Sequence, residues 1–158
     1  MHSLREATPA DVPVIFDLIC ELAVYEKLRD HVDATVEGLH AALFGPRGYA
    51  EVLMAESDGA IAGFALFFHN FSTFRGRPGV YLEDLFVRPQ FRRLGIGRAL
   101  LHRLAQIAVE RGCSRLEWAV LDWNKSAIEF YRQLGAQPMN DWTVMRLTDG
   151  ALTGLAGS

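Results

Sequence analysis

The chain has 158 residues, 50% of them apolar and 22% charged, with a formal net charge of −3. That length suits one domain with one core, and that charge offers no broad attraction to nucleic acid or to an anionic membrane, so neither is expected as a partner. The N-terminus has no basic-then-apolar signal pattern, and the longest apolar run, Ala60 to Phe68, is far too short to span a bilayer, which together point to a cytoplasmic protein.

Taken in order, Thr8-Pro9-Ala10-Asp11 reads as a helix start, with Thr8 as cap, Pro9 in the first turn and Asp11 three residues after the cap. Val12, Ile15, Phe16, Ile19, Leu22 and Ala23 recur at helical spacing and predict a helix to about Tyr25. A second, short helix is expected from Thr35 to Phe44, stopped by Gly45-Pro46. From Ala50 the period becomes two. Glu51 to Ala55 and Ile61 to His69 flank Asp58-Gly59, a strong hairpin signal. Phe71 to Gly79 reads as a loop with Arg75 and Arg77 and no acid.

The stretch from Tyr81 to Arg111 is the most informative. A strand, Tyr81 to Val87, passes through Arg88-Pro89 into Arg92-Arg93-Leu94-Gly95-Ile96-Gly97, and a helix carrying Leu100, Leu101, Leu104, Ile107 and Ala108 follows. A helix start has four unpaired N–H groups and partial positive charge, and glycine lets an anion approach the backbone, so this loop suits a phosphate or pyrophosphate. It lacks the Gly-Lys-Ser/Thr of a nucleotide triphosphate loop and the third glycine of the dinucleotide fingerprint. Glycines that merely shape a turn are the competing interpretation at this point.

Leu116 to Leu121 predicts a further strand, Asn124 leads into a helix with Ile128, Phe130, Tyr131 and Leu134, and Trp142 to Leu147 alternates like a last strand. The segment from about 150 is expected to be a mobile tail. Trp123 and Trp142 are expected in the core. Cys20 and Cys113 are expected as buried thiols, and neither they nor His2, His31, His40, His69 and His102 show metal-ligand spacing. Hairpins beside strand-helix-strand units imply an α/β sheet, partly antiparallel and partly parallel.

The set Tyr81-Leu82-Glu83-Asp84-Leu85-Phe86-Val87, the Arg-x-x-Gly-x-Gly loop, and Asn124 with Tyr131 seven residues on resembles the GCN5-related N-acetyltransferase superfamily. Glu21-Leu22-Ala23-Val24-Tyr25-Glu26 and Leu121-Asp122-Trp123-Asn124 are similar to its diamine and thialysine branch, with the resemblance running from about Leu4 to Leu147. It implies a mixed sheet flanked by helices, with a splayed strand pair that holds acetyl-CoA. By the same resemblance the backbone of Leu85, Phe86 and Val87 meets the pantetheine arm. Arg92, Arg93, Leu94, Gly95, Ile96, Gly97 and Arg98 surround the pyrophosphate, and Asn124, Lys125, Ser126 and Ala127 complete the cofactor site. Tyr25, Glu26, Glu83, Glu117, Trp118 and Ala119 would contact the substrate, and the protein would be a homodimer.

Acetyl transfer to an amine needs a neutral amine, a stabilised oxyanion and a proton for the leaving thiolate. The resemblance makes Tyr131 the acid, a phenol being protonated at neutral pH. Strict alternation puts Glu83 and Asp84 on opposite faces of the strand, so one of them can face the amine. The resemblance selects Glu83 and leaves Asp84 to a structural or subunit contact. Arg75 and Arg77 disfavour a polycation and favour an amine that also bears a carboxylate, such as thialysine or another lysine-like amino acid. A coenzyme A sensor without turnover and a protein-acetylating enzyme are the alternative functions.

Overall fold

Five strands form one sheet, ordered β1-β2-β3-β4-β5, in a computed structural model that describes residues 1–157. They are β1 (His2–Glu6), β2 (Glu51–Ser57), β3 (Ala60–Ser72), β4 (Arg77–Val87) and β5 (Leu116–Trp118). The first four are antiparallel neighbours and β4–β5 is parallel, which gives the mixed, helix-flanked sheet that was expected. The chain forms two compact units, Met1–Ala119 and one from Val120 onward.

In the first unit the helices follow their sequence signals closely. Pro9–Asp11 makes a 3₁₀ turn, and α1 runs Val12–Tyr25. The Asp11 carboxylate accepts from the Thr8 N–H at 2.7 Å and takes both nitrogens of the Arg5 fork at 2.8 Å, tying the helix start to β1. Arg5 holds the Asp11 carboxyl down to about 2. Thr35 caps α2 (Val36–Phe44) by accepting from the Gly38 N–H at 3.0 Å.

One face of the sheet carries α1 and α2. Ile15, Leu18, Leu22 and Leu43 bury themselves there against Val52, Met54, Phe64 and Phe86. Each fully buried side chain of this size contributes about 1.5–3 kcal/mol. On the other face lies α3 (Ile96–Glu110), with Leu100, Leu101, Leu104, Ile107 and Ala108 buried. Arg88 clasps α1 to the end of β4, donating to Glu21 at 3.0–3.2 Å and to the Ile61 carbonyl at 3.1 Å.

Several expectations are corrected. β1 carries no clear pattern in the sequence because it is a short strand rich in charge, held by β2 alone. The loop expected over 71–79 shrinks to four residues, since β3 and β4 pair out to Ser72 and Arg77. The strand expected from Leu116 to Leu121 ends at Trp118.

In the second unit, α4 (Lys125–Gln133) forms as expected, and α5 (Asp149–Ala156) occupies the segment expected as a tail. Residues 142–147 are not a strand. Alternation supplies strand propensity, but a strand exists only with a ladder partner, and this segment has none. Trp142 is 78% exposed and Trp123 47% exposed, so neither is a core residue here. Among the described residues no helix is long and apolar enough to cross a membrane, and no cluster of His, Cys, Asp and Glu could hold a metal ion.

Candidate active site

The centre of the first unit's chemistry is a register change in β4. Ala65 pairs with Leu85 and Leu66 with Asp84, but the next residue of β3, Phe67, pairs with Leu82, so Glu83 is an extra residue. This is a β-bulge, which bends the strand and re-aims a side chain. Paired residues share a face. Phe68 pairs with Tyr81, and their rings lie 5.2 Å apart, while Phe64 pairs with Phe86, so both ends of the bulge have a fixed orientation. Tyr81, Asp84 and Phe86 therefore face α1, Leu82 and Leu85 face α3, and Glu83 joins Asp84 on the α1 side. The opposite-face expectation for Glu83 and Asp84 fails because alternation is broken at the one position where it was applied.

The electrostatics agree with this placement. Burial, then the charges of Glu83 and Glu26, push the Asp84 carboxyl up to about 6. Burial also raises Glu26, which follows the end of α1. Burial, Glu83 and Glu117 together raise the Tyr81 phenol. Three carboxylates, Glu26, Glu83 and Glu117, thus raise Asp84 or Tyr81 and no cation lowers either, an arrangement that favours an incoming ammonium.

Of the other expected substrate residues, Glu117 pairs with Tyr81 and shares the acid face. Trp118 pairs with Leu82 and so falls on the α3 face, and Ala119 follows the strand in an exposed position. Tyr25 closes α1, where its ring meets the Arg92 guanidinium at 5.0 Å. Arg92 is also 5.4 Å from the Phe86 ring and donates through Nε to the Val87 carbonyl at 2.8 Å. Its guanidinium, although exposed, makes these contacts on the α1 side.

The cofactor side of β4 is built differently. β4 pairs with β5 only from Val80 to Leu82, so the backbone edge of Glu83 to Val87 runs on without a strand neighbour. Unpaired N–H and C=O groups of such an edge suit an amide-bearing arm. Leu85, Phe86 and Val87 all lie on it.

Gly95, in the left-handed region at φ 80°, opens α3, and no side chain caps that helix. A Cβ on Gly97 would meet only Leu85 Cδ2 and Val87 Cγ2, each at 3.9 Å. The protein itself leaves room there. Arg93, at φ 66°, Leu94 and Arg98 are exposed around this helix start, whereas Ile96 is buried and anchors it. The helix start, its glycine and two exposed arginines fit a pyrophosphate, and the free β4 edge beside them fits a pantetheine arm.

In the second unit, Asn124 accepts from the Ala127 N–H at 3.4 Å and caps α4, whose first turn holds Lys125, Ser126 and Ala127. Tyr131 lies on the same helix, its ring 5.6 Å from that of Phe130.

The bulged strand, its free edge and the glycine-opened helix belong to an acetyltransferase fold. Residues 14–136 match the acetyltransferase (GNAT) family, and the chain belongs to that family. It is an N-acetyltransferase that uses acetyl-CoA as its donor. The chain is similar to the thialysine N-epsilon-acetyltransferase of Bos taurus, with 40% identity over 98% of this chain and 96% of that one. It is 36% identical to the L-ornithine N5-acetyltransferase of Arabidopsis thaliana over 94% of this chain and 85% of that one. Among solved structures, an integron cassette protein from the mobile metagenome of V. cholerae superposes with a TM-score of 0.83 at 26% identity, covering 99% and 98% of the two chains.

Two features escaped the sequence. The bulge leaves no mark in residue type, because Tyr81-Leu82-Glu83-Asp84 alternates plausibly in either register. Alternation together with the family resemblance selects Glu83 and sets Asp84 apart from the site. The capture of Arg92 by Tyr25 and Phe86 depends on contacts between distant segments that no local pattern reveals.

Proposed function

We propose that the whole chain is a single N-acetyltransferase domain that acetylates the primary amine of a small molecule, a lysine-like amino acid or a diamine, by direct transfer in a ternary complex. The observation that carries the reading is the paired acids Glu83 and Asp84 on a bulge whose other edge is open for the donor. The relatives named for thialysine and L-ornithine support an amino acid that bears a second amine.

Acetyl-CoA supplies an activated acetyl thioester. Arg93, Arg98 and the first N–H groups of α3 would hold its pyrophosphate, and the backbone from Leu85 to Val87 its amide-bearing arm, with Asn124 to Ala127 as the second half of that site. Glu26, Glu83 and Asp84 attract the substrate ammonium and orient it. Glu83 takes the amine's proton directly or through water, and Asp84, whose carboxyl burial and its acidic neighbours push up to about 6, shares that proton on its way to solvent. Tyr131 gives a proton to the departing thiolate.

Two further readings accompany this one. A homodimer is supported by the exposed apolar side chains Trp142, Val144 and Met145, a set that a second copy would cover. A cytoplasmic location is supported by the free thiols of Cys20 and Cys113. Gel filtration with light scattering checks the first.

The function is tested by supplying acetyl-CoA with a panel of diamines and diamino acids and measuring free thiol release. Lysine-like amino acids should be turned over. A strong preference for spermidine would sink the amino-acid version, and release with none of them would sink the small-amine reading altogether.

A further inference from the structure

The acid face of the sheet continues past Tyr81 to a second polar cluster. At Gly79, one step along β4 from Tyr81 on the same face, the strand has no side chain, and two residues occupy the gap. A Cβ there would lie 2.4 Å from Asn70 Oδ1 and 2.9 Å from Arg115 Cγ. Asn70, at the end of β3, donates through Nδ2 to Glu117 Oε1 at 3.1 Å. Arg115 donates through Nη2 to the Phe71 carbonyl at 3.3 Å, and its Nε lies 3.0 Å from Glu117 Oε1, off the N–H direction. The Arg115 and Glu117 side chains are 38% and 36% exposed, ordered by these contacts yet open to a ligand.

Three details make this more than a surface ion pair. Asn70 Oδ1 is buried without a hydrogen-bond partner, and Arg115 Nε is buried with only its charge contact to Glu117. The cluster joins one arginine and one carboxylate side by side, which is the complement of an α-amino acid's carboxylate and ammonium. It also lies on the face that carries Glu83 and Asp84, four strand residues from Glu83, or about 13 Å along the backbone. An extended diamino acid lying over the Tyr81 ring would run along this face between the two clusters. Arg75 and Arg77, which the sequence offered for a carboxylate, belong to the hairpin tip beyond Gly79, both exposed and farther from the acids.

We infer that Arg115 and Glu117, set in place by Asn70 across Gly79, form the head-group end of the acceptor site, with Arg115 taking the α-carboxylate of a diamino acid and Glu117 its α-ammonium. The distal amine then reaches Glu83 and Asp84. This rests on the small-amine reading above and adds which end of the acceptor is recognised, and by what. It makes Arg115 the residue that separates a diamino acid from the diamine obtained by removing its carboxylate.

The test pairs lysine with cadaverine and ornithine with putrescine, and reads binding by calorimetry separately from turnover by free thiol release. In the full-length protein, Arg115→Gln should weaken lysine and ornithine binding tenfold or more, raise KM by a similar factor with kcat within about twofold, and leave cadaverine and putrescine unchanged or slightly tighter. Arg115→Lys should recover part of the loss. Lysine binding that depends on Arg115 without any thiol release would defeat the acetyl-acceptor reading while the head-group site stood. Failure of the wild-type protein to bind lysine, or equal losses for amino acids and diamines, would overturn the inference. So would an Arg115→Gln protein indistinguishable from wild type.

Discussion

Glu83 occupies the extra position of the β4 bulge, directly before Asp84, so that two adjacent carboxylates share one face of the sheet instead of dividing between two. The free protein holds Asp84 at a cost, because burial and its two acidic neighbours raise its pKa to about 6. A carboxyl whose pKa is higher in the folded than in the unfolded chain favours folding only while protonated. That contribution is complete below its ordinary value near 4 and is lost as pH rises through 6.

Asp84→Asn should therefore stabilise the free protein at pH 7, by about 1–3 kcal/mol. The gain should shrink as pH falls from 6 and disappear near pH 4. Thermal melts of both proteins across that range check the sign. The same substitution should lower turnover at least tenfold, since an amide neither attracts the ammonium nor accepts its proton. A destabilised Asp84→Asn at neutral pH would mean that the carboxylate has a partner it needs.

Gly97 tests the donor side by opposing two effects. A Cβ has room against the protein's own atoms, so Gly97→Ala should fold normally and gain up to about 1 kcal/mol from helix propensity. The same methyl would stand where the pyrophosphate meets the helix start, so acetyl-CoA should bind about tenfold more weakly. Melting curves and cofactor titration read the two separately. Unchanged affinity would move the pyrophosphate away from Gly97.

Neighbouring arginines should respond differently. Arg92 is exposed but donates to the Val87 carbonyl and lies over the Tyr25 and Phe86 rings, so Arg92→Ala should destabilise the fold by about 0.5–1.5 kcal/mol. Arg93 is exposed, and Arg93→Ala should leave stability within about 0.5 kcal/mol while raising KM for acetyl-CoA. Loss of cofactor affinity in Arg92→Ala at unchanged stability would return Arg92 to the pyrophosphate.

These contrasts mark how much of the protein its sequence makes legible. Helix starts are written locally, and Thr8, Thr35, Gly95 and Asn124 each announce one within a few residues. So is the hairpin at Asp58-Gly59, because two residues suffice to set its turn. What stays hidden depends on partners distant in sequence. The bulge at Glu83 is a choice of register between β4 and β3, and one of the two rings that Arg92 meets, Tyr25, lies more than sixty residues earlier. Gly79 reads as one more loop glycine until Asn70 and Arg115 are seen crossing it. Residues 142–147 show the converse, since their alternation is clear and their ladder partner is absent.

The Arg5–Asp11 pair gives a stability prediction of opposite pH sign to that of Asp84. Its carboxyl lies well below the ordinary range, at about 2, so its contribution is present above pH 4 and is lost as pH falls toward 2. Asp11→Ala removes the Arg5 fork and the Thr8 N–H bond together and should cost about 2–4 kcal/mol at pH 7. Urea titrations at pH 7 and pH 3 check it, with a smaller difference expected at the lower value. A loss independent of pH would assign the effect to packing.

The role proposed for Tyr131 is the step that the acids cannot carry. A leaving thiolate needs a proton at the moment the thioester breaks, and a hydroxyl on α4 can supply it only if that helix presents Tyr131 to the sulfur. Tyr131→Phe keeps the ring, and with it the contact to Phe130, while removing the proton. The expected result is a fall in kcat of about 10²–10⁴ with acetyl-CoA binding unchanged. Replacing the amine by a more reactive nucleophile should not rescue the variant, because departure of the thiol rather than attack would be limiting. Normal turnover in Tyr131→Phe would hand the proton to water and remove the second unit's phenol from the chemistry.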